Sequence, residues 1–174
     1  NVIGTLNLMD CLSEIKDQCC LIVITTDKVY ENKESLYGYR ENDRLGGYDP
    51  YSASKAATEI AISSWRSSFL NKNKGKYKLA SVRAGNVIGG GDWAVNRIVP
   101  DVIKGIISSE KIKIRNFEFT RPWQHVLEPL NGYLLVAEEL SVGSVLGFLS
   151  IFSLLTSPEL SDFFKSTFSV SSPT

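Results

Sequence analysis

Cys20-Leu21-Ile22-Val23-Ile24-Thr25-Thr26 is a short run of apolar and β-branched residues that turns abruptly polar at Asp27. A continuous apolar run of this length suits a strand buried on both faces of a parallel sheet. Upstream, Val2, Ile3, Leu6, Leu8, Met9 and Leu12 have helical spacing within the segment Asn1 to Lys16. Downstream, Asp27 to Asp49 is polar and rich in Glu, Asn, Tyr and Gly, which predicts a loop. Asp49-Pro50 then opens a helix, with proline near the first helical position where its missing N–H costs nothing. That helix runs to about Leu70, before the polar stretch Asn71 to Gly75. Leu79 to Ala84 reads as a second strand, followed by the glycine-rich loop Gly85 to Trp93. A helix from Arg97 to Ser108, a strand from Ile112 to Arg115 and a helix from Pro129 to Leu140 complete the reading. The alternation predicts an α/β protein with a doubly wound parallel sheet. The first element is a helix that already reads as the middle of a protein, so the sheet is expected to be partial and truncated at its N-terminus.

Composition narrows the classes of partner. Of 174 residues, 43% are hydrophobic and 22% charged, the proportions of a soluble globular chain with a real core. Nineteen basic residues balance nineteen acidic ones, which gives no electrostatic reason to expect nucleic acid or a membrane surface as partner. Cys11, Cys19 and Cys20 form no CxxC pair and the chain has one histidine, so no metal site is expected. Unspaced cysteines and the lack of a signal-like start fit the cytoplasm. Residues 1–140 read as one catalytic unit and 141–174 as a divergent tail. The tail holds ten serines but only three charged residues, Glu159, Asp162 and Lys165. Its apolar stretch, Val142 to Leu155, is too short to span a bilayer; an amphipathic or disordered tail is expected.

Two clusters carry chemistry. In Tyr51-Ser52-Ala53-Ser54-Lys55 the i to i+4 spacing puts Tyr51 and Lys55 on one helix face. A tyrosine, with an ordinary pKa of about 10, ionises at neutral pH only beside a cation, which Lys55 can be. The same pattern also fits an exposed tyrosine beside a solvated lysine. Thr25-Thr26-Asp27-Lys28-Val29-Tyr30 follows the first strand at its C-terminal end, where open α/β sheets hold their ligands. A hydroxyl, an acid and an amine in consecutive positions supply a hydrogen-bond donor, a proton donor and a proton acceptor; a merely polar strand exit fits equally. Gly85 to Gly91 does not match G-x-G-x-x-G, but its N–H groups suit an anion. Arg97, Arg115 and Arg121 match phosphate geometry, although each could be an ordinary surface charge.

Together these clusters resemble the extended short-chain dehydrogenase/reductase family, in its nucleotide-sugar-modifying branch, as does Asn1-Val2-Ile3-Gly4-Thr5-Leu6-Asn7-Leu8. Asp27-Lys28-Val29-Tyr30-Glu31-Asn32 departs from the Asp-Glu-Val-Tyr-Gly of dTDP-glucose dehydratases. With Arg83 to Trp93 and Arg121-Pro122-Trp123-Gln124-His125-Val126, it is similar to 4,6-dehydratases whose substrate is CDP-glucose. The resemblance covers residues 1 to 140.

The resemblance implies a Rossmann-like fold, NAD as cofactor and dehydration of a nucleotide sugar in deoxysugar biosynthesis. It implies that Tyr51 takes the proton of the sugar 4-hydroxyl, that Lys55 lowers the tyrosine pKa and holds the nicotinamide ribose, and that Thr26 bonds the same hydroxyl. Lys28 would remove the C5 proton and Asp27 would protonate the leaving C6 hydroxyl. A lysine near its ordinary pKa of about 10.4 is protonated, so Lys28 needs desolvation or nearby positive charge. Thr25, Arg83 and Gly85 fall with Tyr51 and Lys55 in the implied cofactor site; Asn86, Arg97, Arg115 and Arg121 are the implied substrate contacts, while His125 is expected to be packed or hydrogen-bonded rather than catalytic. The branch also implies a homodimer of the full-length form through a four-helix bundle, here Asn1 to Lys16 and Tyr51 to Leu70. The adenosine-binding glycine motif of the family is not found in these 174 residues, so the chain by itself is expected to be inactive. A sibling epimerase or decarboxylase and a non-catalytic remnant remain alternatives; Asp27-Lys28 argues against the first.

Overall fold

A computed structural model describes residues 1–33, 35, 37–70, 76–115 and 119–142. In chain order it contains α1 (Val2–Cys11), a 3-10 turn (Leu12–Glu14), β1 (Cys19–Ile24), a second 3-10 turn (Asp27–Val29), α2 (Pro50–Phe69), β2 (Tyr77–Val82), β3 (Asn86–Ile88), α3 (Ile98–Ser108), β4 (Trp123–His125) and α4 (Leu127–Val142).

β1 and β2 pair in parallel along their whole length, from Cys19 opposite Tyr77 to Ile24 opposite Val82. Side chains alternate across a strand, so one face of this pair presents Cys19, Leu21, Val23, Tyr77 and Leu79. That face meets Met9 of α1, Leu12, and Ile62 and Trp65 of α2 in the hydrophobic core. The Tyr77 hydroxyl reaches past the core to donate to the Ile15 carbonyl at 2.9 Å, which ties the start of β2 to the chain entering β1. α4 also lies against β1 and β2. A second parallel pair, β3 with β4, runs from Asn86 opposite Trp123 to Ile88 opposite His125.

Several expectations are corrected. The opening helix stops at Cys11 and tightens into the 3-10 turn, because Ile15 is already extended (φ −69°, ψ 128°) on its way to β1. β1 is half-buried rather than buried on both faces; among the described residues its ladder has one partner strand. Ile112 to Arg115 is not a strand. Ile112 instead packs on Gly105, where an added Cβ would come 2.5 Å from its Cγ1. The strand in this region is Trp123–His125, and β3 occupies the start of the stretch expected to be a glycine-rich loop. The loop after β1 carries the 3-10 turn and an antiparallel bridge between Tyr30 and Leu45. α4 starts two residues before Pro129 and continues to Val142. The linker 71–75 and the tail from residue 143 onward lie outside the described residues.

Candidate active site

The site is assembled where α2 begins. Asp49 caps the helix: one carboxylate oxygen accepts from the N–H groups of Tyr51 (2.9 Å) and Ser52 (3.1 Å), the other from the Ser52 hydroxyl (2.6 Å). This is the usual satisfaction of orphan donors at a helix start. The Ser52 hydroxyl and N–H, then the Tyr51 N–H and last the Lys28 charge, hold the Asp49 carboxyl below its ordinary range. Gly47 lies so close to the helix that a Cβ would come 2.3 Å from the Ala53 nitrogen. The cap and this contact place Tyr51 at the exposed helix start, 49% accessible. One turn on, the Lys55 amine donates to the Ile24 carbonyl at 2.9 Å. The Tyr51–Lys55 face of α2 is thereby fixed at the C-terminal end of β1.

At that strand end the chain enters the second 3-10 turn. Thr26 is buried and extended. Its hydroxyl accepts from the Lys28 N–H at 3.4 Å and donates to the Asp27 carboxylate at 3.1 Å. The Asp27 N–H donates to the Ala84 carbonyl at 3.0 Å. The turn packs against α2, so the two clusters read from the sequence meet at one place: Tyr51 and Lys55 from the helix, Thr26, Asp27 and Lys28 from the strand exit. Lys28 is exposed, Asp27 partly so.

Beneath them is a buried polar network built on Glu59, which is 4% accessible. Glu59 continues the helix stripe of Tyr51 and Lys55 at four-residue spacing. Its carboxylate accepts from the Thr25 hydroxyl, from Ser81 (2.8 Å) and from the Arg83 Nε (2.9 Å). Burial alone would raise the Glu59 pKa, but the bonds from Arg83 and Thr25 outweigh it and hold the carboxyl low. Burial pulls Arg83 the other way, and Glu59 and Tyr30 overcome it to push the guanidinium higher still. Arg83 Nη1 also donates to the Tyr30 hydroxyl (2.9 Å) and the Glu41 carbonyl (3.2 Å). Burial raises the Tyr30 hydroxyl pKa despite that bond. The Thr25 hydroxyl and the Arg83 Nε and Nη1 are therefore engaged inside the protein. Sequence reasoning passed over Glu59; the signal available was its position eight residues after Tyr51 on the helix face that looks at the strands.

The residues expected at the phosphate are more dispersed. Gly85 sits against Pro122, where a Cβ would come 2.7 Å from Cγ, and the Asn86 N–H donates to the Pro122 carbonyl at 3.1 Å. This close approach joins Gly85 and Asn86 to the Arg121-Pro122 stretch. Arg97 occupies the cap position of α3, Arg115 donates to the Asn96 carbonyl at 3.4 Å, and Arg121 lies 5.5 Å from the Phe119 ring centroid. All three arginines are exposed. His125 accepts from the Leu127 N–H at 3.3 Å through Nδ1, a local bond at the α4 start. Among the described residues no cluster of His, Cys, Asp and Glu could hold a metal ion, and no helix is long and apolar enough to cross a membrane.

Parallel strands crossed by helices, with a helix-borne tyrosine and lysine at a strand's C-terminal end, define a Rossmann-like α/β protein. The chain belongs to the NAD dependent epimerase/dehydratase family, whose pattern it matches over residues 1–146. It is 48% identical over 143 residues to the CDP-glucose 4,6-dehydratase of Salmonella typhimurium, an alignment covering 80% of this chain and 40% of that protein. In fold it is similar to a dTDP-glucose 4,6-dehydratase from Bacillus anthracis solved with NAD (TM-score 0.68, 21% identity, 79% of this chain and 42% of that one). It is similar as well to a UDP-N-acetylglucosamine 4-epimerase from Methanobrevibacter ruminantium solved with UDP-N-acetylmuramic acid (TM-score 0.65, 25% identity, 79% and 43%). The chain thus spans about two fifths of the length of these relatives.

Proposed function

We propose that this chain carries the catalytic segment of an NAD-dependent nucleotide-sugar 4,6-dehydratase that converts CDP-glucose to CDP-4-keto-6-deoxyglucose in deoxysugar biosynthesis. The observation that carries the reading is the acid–amine pair Asp27-Lys28 in a turn packed against the helix start bearing Tyr51. The identity to the Salmonella enzyme supports it.

The residues present suit the nicotinamide half of NAD. The Lys55 amine and Tyr51 hydroxyl can hold ribose hydroxyls, and Gly85, packed against Pro122, serves the cofactor side through its backbone. NAD, when bound, would supply the acceptor for the C4 hydride and, once reduced, the hydride that returns to C6, so no net oxidation occurs. Tyr51 takes the proton of the sugar 4-hydroxyl, helped by the Lys55 charge and by a hydrogen bond from Thr26. Lys28 removes the C5 proton once the bound sugar has stripped its water, since desolvation favours the neutral amine. Asp27 donates the proton that lets the C6 hydroxyl leave as water. Asn86, Arg97, Arg115 and Arg121 serve the diphosphate, with bidentate guanidinium geometry as the reason. Thr25 and Arg83 serve the cofactor side through the framework they hold. The full-length form acts in the cytoplasm as a homodimer joined through α1 and α2.

Lys28→Met in the full-length enzyme tests this reading. Dehydration of CDP-glucose should fall about 10²- to 10⁴-fold, the span of a lost general base, while reduced cofactor still forms when sugar is added. Undiminished dehydration by the variant would remove Lys28 from the mechanism, and epimerisation by the unsubstituted enzyme would favour a sibling activity.

A further inference from the structure

The turn that carries Asp27 and Lys28 is held at both ends by one buried ion pair. On its N-terminal side, Thr25 donates its hydroxyl to Glu59. On its C-terminal side, Tyr30 accepts from the Arg83 guanidinium at 2.9 Å. Glu59 and Arg83 are joined at 2.9 Å with side chains 4% and 17% accessible. The same guanidinium reaches across to the Glu41 carbonyl, more than ten residues further along the loop. Tyr30 in turn stacks on Tyr39, with ring centroids 5.1 Å apart and planes 9° from parallel. The Tyr39 hydroxyl accepts from the Lys33 N–H at 2.9 Å. Helix, both strands of the longer ladder and the loop after β1 thus share one fork of charge-assisted bonds, the strong kind.

We infer that Glu59 and Arg83 form a latch whose task is to position the Asp27-Lys28 turn against α2, with Tyr30 as its handle on the loop. Arg83 is then a positioning residue acting through Tyr30. The planar fork is what the latch requires: a lysine at this position can pair with Glu59 but has no second arm for Tyr30 and Glu41. Because Lys55 is anchored independently to the Ile24 carbonyl, releasing the latch loosens the acid–base turn and leaves the tyrosine–lysine pair in place. The catalytic half of this inference rests on the dehydratase reading; the positional half does not.

Amide hydrogen exchange on Arg83→Lys and on the milder Tyr30→Phe tests the positional half. Exchange at the Lys28, Val29, Tyr30 and Glu31 amides should rise about tenfold or more, as expected for local opening after losing a buried bond. Exchange around Ile62 in α2 should not change. A uniform rise along the chain, or none in the turn, would overturn the latch. In the full-length enzyme, Tyr30→Phe should lower kcat for dehydration about tenfold with KM and cofactor reduction preserved. Equal loss of cofactor reduction and dehydration would overturn the selective role of the latch. A full-length enzyme that carries out no dehydration even unsubstituted would sink the functional reading instead, with the exchange result still deciding the latch.

Discussion

The segment from Val2 to Val82 and the segment from Asn86 to Val142 use the same alternation of helix and strand, yet they pack very differently. In the first, a six-residue parallel ladder lies under two helices, and Met9, Leu12, Ile62, Trp65, Tyr77 and Leu79 form a closed core. In the second the ladder is three residues long, α3 buries only Pro100 and Gly105, and Ile106 and Ile107 are 67% and 74% accessible. The proposed chemistry follows the packing. Tyr51, Lys55 and the Asp27-Lys28 turn rest on the closed half, whereas Arg97, Arg115 and Arg121 sit on the open one. Under the proposed dehydratase reading, groups that would meet reacting atoms need tight placement, and rigid elements with satisfied polar support provide it; the arginines proposed for the diphosphate tolerate a looser frame.

If this contrast is right, the largest effect belongs to the buried ion pair. Glu59→Ala leaves Arg83 without its partner and should cost about 3–5 kcal/mol, measured by urea unfolding. The same pair gives the closed half an acid limit. Glu59 has a folded pKa below its ordinary 4.5, so its contribution is complete above that pH and is lost as pH falls through the lowered folded value. An unfolding midpoint that does not move between neutral pH and the acid range would break the comparison.

Next comes Ile62→Ala, which opens a cavity in the core at a fully buried side chain and should cost about 2–5 kcal/mol. Gly47→Ala should cost about 1–3 kcal/mol, as overpacking does, because its Cβ would press on the backbone at Ala53; a thermal melt against the parent chain measures it. At the small end, Ile107→Ser on the open half should stay within about 0.5 kcal/mol, as surface changes away from packed features do. A cost there comparable to that of Ile62→Ala would show that the second segment is closed in solution by a surface outside the described residues.

How much was legible in the sequence follows the same division. The run Cys20 to Thr26, the helix opened by Asp49-Pro50 and the strand expected at Leu79 to Ala84 carry local signals, namely β-branched runs, a capping aspartate and an N-terminal proline. They were read correctly to within a few residues. The Tyr51 and Lys55 face and the Thr26 to Lys28 turn were legible because four-residue spacing and position after a strand are themselves sequence facts. Ile112 to Arg115 failed because its apolar alternation serves to cover Gly105 rather than to join a ladder. Trp123 to His125 was missed because a three-residue strand has no periodicity to detect; it exists because Asn86 to Ile88 lies beside it.

Glu59 marks the boundary most clearly. A glutamate in the middle of a serine- and alanine-rich helix has the sequence signature of a solvated charge. Only the arrival of Thr25, Ser81 and Arg83 at the ends of two strands turns it into a buried acceptor with both oxygens hydrogen-bonded. Local chemistry therefore determined the elements, the helix start and the pairing of tyrosine with lysine, since each depends on neighbours within a turn or two. The register of the two ladders, the burial of Glu59 and the anchoring of the Asp27-Lys28 turn were decided by tertiary structure, because each depends on groups at least 22 positions apart being brought within hydrogen-bond reach.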